Sequence, residues 1–141
     1  MRALGLTVLR LAVAGIFLYA AVGKLADVQA FAEELANFRV LLPATVPLAA
    51  AALPGVELLV GVLLAVGIAT RAAAAAASGL LLVFTAGLSQ ALVRGIDLRC
   101  GCFGGADVAT WGTVVRDLLM LAPALLVLRG GAGRFALRAE D

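Results

Sequence analysis

Residues 72–93 read AAAAAASGLLLVFTAGLSQALV, with no charged residue and no proline. As a helix this stretch is about 33 Å long at 1.5 Å per residue. The hydrocarbon core of a bilayer is about 30 Å thick. The stretch therefore predicts a membrane span, and the rest of the chain is read outward from it. Just before it, Thr70–Arg71 separates it from a second apolar run at about 45–69, which contains Pro47, Pro54 and Glu57. So short a join predicts an antiparallel hairpin, with Pro54 kinking the earlier helix. Two more runs qualify as spans: about 4–23, which carries Arg10, and about 111–128, which holds Arg116 and Asp117 in its first turns. The first has the basic start and small residues (Ala20, Ala21) of a secretory leader. Arg10 splits its apolar run and Lys24 follows closely, so it is expected to remain as a span.

Composition gives the same answer. The chain has 141 residues, is 64% hydrophobic and 14% charged, and has a mean hydropathy of +1.11. A soluble domain of this length cannot bury so much apolar surface. This excludes a soluble enzyme, a disordered chain and a disulfide-dense secreted miniprotein. The net charge of +2 is too small for a nucleic-acid footprint. No histidine is present, which removes the commonest general base and metal ligand.

Between the first two spans, Val28, Phe31, Leu35, Phe38 and Leu42 recur at helical spacing, with Asp27 placed to cap and Pro43 to end the segment. The expected fold is thus all-α: an integral membrane four-helix bundle in one domain, 1–141, with a short amphipathic surface helix between spans 1 and 2. Four spans put the two termini on one side together with Arg71. That side holds Arg2, Arg10, Arg71, Arg129, Arg134 and Arg138, one basic residue more than Lys24, Arg39, Arg94, Arg99 and Arg116 opposite. Cation counting then expects both termini in the cytoplasm and the loop 94–110 outside the plasma (inner) membrane.

That loop contains both cysteines, in Arg99-Cys100-Gly101-Cys102-Phe103-Gly104. Outside the cytoplasm thiols tend to be oxidised, and flanking glycines let the chain turn tightly. A bridge across one residue would be strained and easily reduced, and it would staple almost nothing. Arg99 favours the Cys100 thiolate, the attacking species, while Asp97 opposes it. Three readings stand: a pair cycling between dithiol and disulfide, a thiolate pair for a thiophilic metal such as Cu(I) or Hg(II), or two incidental cysteines. No resident metal site is assigned.

The chain resembles the MauE branch of the MauE/DoxX-like redox-associated membrane proteins over nearly its whole length. The matching residues are Arg10-Leu11, Gly23-Lys24-Leu25, Phe31, Leu42-Pro43, Pro54 through Glu57, Gly61, Thr70-Arg71, Trp111 and Arg116-Asp117. The most specific piece is Cys100-Gly101-Cys102-Phe103-Gly104. Where that pattern has Arg-Asn in the fourth span, this chain has Arg116-Asp117, which adds a carboxylate. The resemblance implies a four-helix membrane bundle and thiol or disulfide chemistry outside the cytoplasm, beside a thioredoxin-like protein and in support of client maturation.

Glu57 lies about 15 Å past Pro47 along a helix, near the middle of the bilayer. A charge there costs about 2.5–3.5 kcal/mol on insertion scales and is expected to face inward with a partner. Arg116 is the first candidate and Arg10 the second, while Asp117 is expected to reach Lys24 at the outer rim. Tyr19, Ser89 and Gln90 are candidates to line the same interior. This polar set serves either as a proton or quinone-headgroup site beneath the cysteine loop or as an ion pair that fixes helix register. The resulting expectation is a membrane thiol–disulfide oxidoreductase that uses Cys100 and Cys102. No covalent cofactor is expected, and a quinone is the candidate carrier. The expected partners are membrane lipid, a thioredoxin-like extracytoplasmic protein, and chains of a homo- or hetero-oligomer; nucleic acid is not among them. The alternatives are a Cu or Hg carrier or sensor, and a non-catalytic membrane scaffold subunit.

Overall fold

The computed structural model describes residues 2–96, 110–134 and 136–137. It is helical, and no strand occurs among the described residues. The elements are α1 (Arg2–Ala26), α2 (Val28–Asn37), a 3-10 turn (Pro43–Thr45), α3 (Val46–Val66), α4 (Thr70–Val93) and α5 (Trp111–Gly130). Four helical stretches of 20–25 residues are long and apolar enough to cross a membrane: α1, the turn with α3, α4 and α5. Helix α3 starts and stops inside the limits expected for the second span, whereas α1 runs three residues beyond its expected end. That extension matters for Lys24.

Local chemistry accounts for the boundaries. The Asp27 carboxylate caps α2 by accepting from Ala30 N at 3.0 Å. Gly67 ends α3 in the left-handed region at φ 77°, and the amides of Gly67 and Ile68 both donate to Leu63 O. Thr110 and Thr113 close a reciprocal capping box at the start of α5. Pro54 lies inside α3 as expected.

Helix α1 packs most extensively on α3, and α4 on α5. On α1 the buried positions are Thr7, Arg10, Val13, Ala14, Phe17, Ala20, Ala21 and Lys24, a single stripe at three-and-four spacing. The core joins this stripe to Val60 and Leu64 of α3, Ala73, Ala74 and Ala77 of α4, and Val127 of α5. The alanines let the backbones approach closely. Gly61 does the same between α3 and α1, since a Cβ there would lie 2.8 Å from the Leu18 side chain. Leu4, Val8, Leu59, Val83 and Leu119 are exposed, which gives the bundle an apolar outer surface and fits a multi-pass membrane protein. Amphipathic α2 lays Phe31 inward and packs mainly on α3.

Candidate functional site

Three ionisable side chains from three helices meet inside the bundle. Lys24 of α1 is 1% exposed and Glu57 of α3 is 2% exposed. Lys24 Nζ donates to Glu57 Oε1 at 2.5 Å. The ammonium also lies over two rings, 5.3 Å from the centre of Phe31 and 4.8 Å from that of Phe84, contacts that stabilise a desolvated cation. Asp117 of α5 is buried, and its Oδ1 accepts from Arg116 Nε at 3.1 Å and Nη2 at 2.8 Å. The remaining oxygens, Glu57 Oε2 and Asp117 Oδ2, are buried and have no hydrogen-bond partner among the described residues.

Lys24, Glu57 and Asp117 line one cleft with Ile16, Phe17, Leu81, Phe84 and Met120. Its volume is about 30 Å³, room for a water molecule. Asp117 stands about 9 Å inside the start of α5 and Phe84 about 14 Å inside the end of α4. The cleft is therefore about two turns below the helix ends that the segment 97–109 connects. On the lateral side of Phe84 lies a larger groove of about 510 Å³ between α2, α3 and α4, lined by apolar residues that include Leu35, Phe38, Leu53 and Val83.

The structure corrects the expected pairing. Glu57 takes Lys24 as its partner, not Arg116 or Arg10. Arg116 is 36% exposed and folds back on its neighbour Asp117, because the inward stripe of α5 passes through Val114, Asp117, Ala124 and Val127. One position off that stripe turns a side chain by about 100°. Arg10 is buried about 21 Å from Lys24 along α1, at the other end of the bundle, where its Nη2 donates to Arg134 O at 3.5 Å. Lys24 does stand in the last turn of α1 and lines the cleft with Asp117, but Phe31 and Phe84 cover it and its bonded partner is Glu57. Its place on the stripe with Arg10 and Phe17, at steps of seven, is the sequence signal that identifies it. Tyr19, Ser89 and Gln90 do not line the cleft. Tyr19 is 67% exposed, Ser89 donates to Thr85 O, and Gln90 Nε2 donates to Phe38 O at 2.8 Å, tying the end of α2 to α4. Arg99, Cys100, Gly101, Cys102, Phe103 and Gly104 lie outside the described residues.

A bundle of four membrane-length helices around a buried lysine–carboxylate pair defines a small multi-pass membrane protein with an ionic interior site. The sequence over residues 2–130 matches the family described as methylamine utilisation protein MauE. The chain is 40% identical over 125 residues to the methylamine utilization protein MauE of Paracoccus denitrificans, an alignment covering 86% of this chain and 67% of that relative. The chain belongs to the MauE family. No solved structure matches it significantly.

Proposed function

We propose that the protein is a membrane thiol–disulfide redox protein whose Cys100-Gly101-Cys102 pair exchanges disulfides with an extracytoplasmic thioredoxin-like partner. The observation that carries this reading is positional. The only two cysteines of the chain are separated by one residue in the sequence that joins α4 to α5, the two helices that carry Phe84 and Asp117 of the cleft. One thiolate attacks the partner's disulfide to form a mixed disulfide, and the other cysteine displaces the partner as a dithiol. The pair is left oxidised, with two electrons passed to the partner; in the reverse direction the partner is oxidised. Client maturation follows from the partner's redox state, and the family's name makes methylamine utilisation the candidate setting.

A membrane quinone is the proposed second substrate, since it exchanges two electrons and two protons. The polar cleft accepts a water molecule and not a quinone ring. The apolar groove beyond Phe84 has the size and lining for a ring with an isoprenoid chain. Lys24, Glu57 and Asp117 are proposed to hold and pass protons between these places. The proposed topology has both termini in the cytoplasm and the cysteine segment outside.

The test combines single substitutions with labelling. With Cys100→Ser and Cys102→Ser made separately, one variant should trap a mixed disulfide with the partner and the other should not. In intact cells an impermeant maleimide should label the pair after reduction. Full client maturation in both single variants would refute the redox reading.

A further inference from the structure

The polar cleft between α1, α3, α4 and α5 contains two acceptors that no bond described above engages. Glu57 is 2% exposed and Asp117 3%. One oxygen of each is used, Glu57 Oε1 by Lys24 and Asp117 Oδ1 by Arg116. Glu57 Oε2 and Asp117 Oδ2 have no partner among the described residues, and both side chains line the same cleft of about 30 Å³. We infer that one water molecule binds there, donating one hydrogen to Glu57 Oε2 and the other to Asp117 Oδ2, and so joins α3 to α5.

Size, donor count and charge each select water. The cleft is close to the volume of one water in the liquid, about 30 Å³, and is too small for a lipid headgroup. Two acceptors call for two donors, and a water has two. Its own oxygen can accept from Lys24, which lines the same cleft and has three N–H groups, one of them given to Glu57. Buried waters make about three such bonds. The rest of the wall, including Phe17, Leu81, Phe84 and Met120, is apolar. As to charge, Lys24 and Arg116 already balance Glu57 and Asp117. A metal ion would add uncompensated charge among apolar helices, which is costly; a neutral donor adds none.

The water makes one network of two ion pairs, Lys24–Glu57 across α1 and α3 and Arg116–Asp117 on α5. Its role deepens the proposed function and rests on the proton-handling part of it. A protonated carboxyl on one helix gives its proton to the water while the water gives another to the carboxylate opposite. One proton crosses between α3 and α5, the water is regenerated and no electron moves.

The test uses the full chain in lipid nanodiscs. X-ray pulses turn bound water into hydroxyl radical, and mass spectrometry locates the oxidised side chains. Leu81 and Met120, which line the cleft, should be oxidised, and should remain so when a scavenger removes radicals from the bulk. Leu64, buried in the core but not on the cleft, should be spared. Asp117→Leu removes one acceptor, and Ala20→Val fills the cleft from α1 without touching a charge. Both should lower oxidation of Leu81 and Met120 several-fold, and either suffices where the other does not fold. Oxidation that the scavenger abolishes, or that the folded variants retain, overturns the inference. So does a rise in melting temperature in sodium or potassium chloride that is absent in choline chloride and lost in Asp117→Leu, which assigns the site to a cation. Loss of the label in Ala20→Val with thiol exchange unchanged supports the water site and overturns its role in proton transfer. The labelling does not involve the cysteines, so the site stands or falls apart from the redox reading.

Discussion

The two ends of the bundle bury charge in different ways. Near the α4–α5 segment, Lys24 is matched by a carboxylate from another helix and by two aromatic rings. At the other end Arg10 reaches the backbone carbonyl of Arg134, beside Thr7, which is bonded into the same turn. The first arrangement leaves two buried carboxylate oxygens without partners among the described residues; the second is a side-chain-to-backbone latch that ties α1 to the chain after α5. The first end is therefore held by a cross-helix ion pair beside a water-sized cleft, and the second by a fastening to the backbone.

The largest effect should come from splitting the ion pair. Lys24→Met or Glu57→Gln alone leaves a buried group without its partner and should cost about 3–5 kcal/mol. Lys24→Met with Glu57→Leu removes both charges and should recover most of that loss, because a buried pair exchanged for well-packed apolar residues is often neutral. Unfolding in detergent measures all three variants. If the pair only fixes register, the double variant should also support thiol exchange. If it handles protons, the double variant should fold and fail to exchange. A double variant as unstable as either single one would show that Lys24 and Glu57 do not act as a pair.

The latch should respond less strongly. Thr7→Val removes the acceptor of Arg134 N and should cost about 1–3 kcal/mol. Gly67→Ala places a Cβ at φ 77° against the Arg10 guanidinium and Ala136 and should cost a similar amount. Both should leave thiol exchange unchanged once the loss of folded protein is accounted for. A specific loss of exchange in either variant would erase the distinction between the two ends.

The helices were legible because hydropathy and length need no knowledge of neighbours: the four spans, the Asp27 cap and Pro54 all stand where the residues put them. The partner of Glu57 was not, because pairing depends on which helices pack together and at what rotation. Hydropathy alone placed Lys24 at a rim and gave no sign that Phe31 and Phe84 cover it there. The stripe of α1, with Arg10, Phe17 and Lys24 at intervals of seven, held the missing information, and so did the offset of Arg116 from Asp117. The water-sized cleft arises from side chains far apart in sequence, and no local pattern announces it. The cysteine segment was legible as a motif alone.

The smallest effect on stability, and the sharpest on the comparison, is expected at Asp117. Asp117→Asn keeps the shape of the side chain and still accepts from Arg116, itself 36% exposed and so already partly hydrated. The stability change should be within about 1 kcal/mol, as for pairs with an exposed partner. The substitution removes one of the two carboxylates on the cleft and adds amide donors there. If Asp117 and Glu57 pass protons between the thiols and the membrane carrier, Asp117→Asn should slow thiol exchange while leaving the melting temperature nearly unchanged. Arg116→Gln, which leaves the carboxylate in place, should slow it less. The reverse order, with Arg116→Gln the more damaging, would move the functional role from the interior stripe to the half-exposed face of α5.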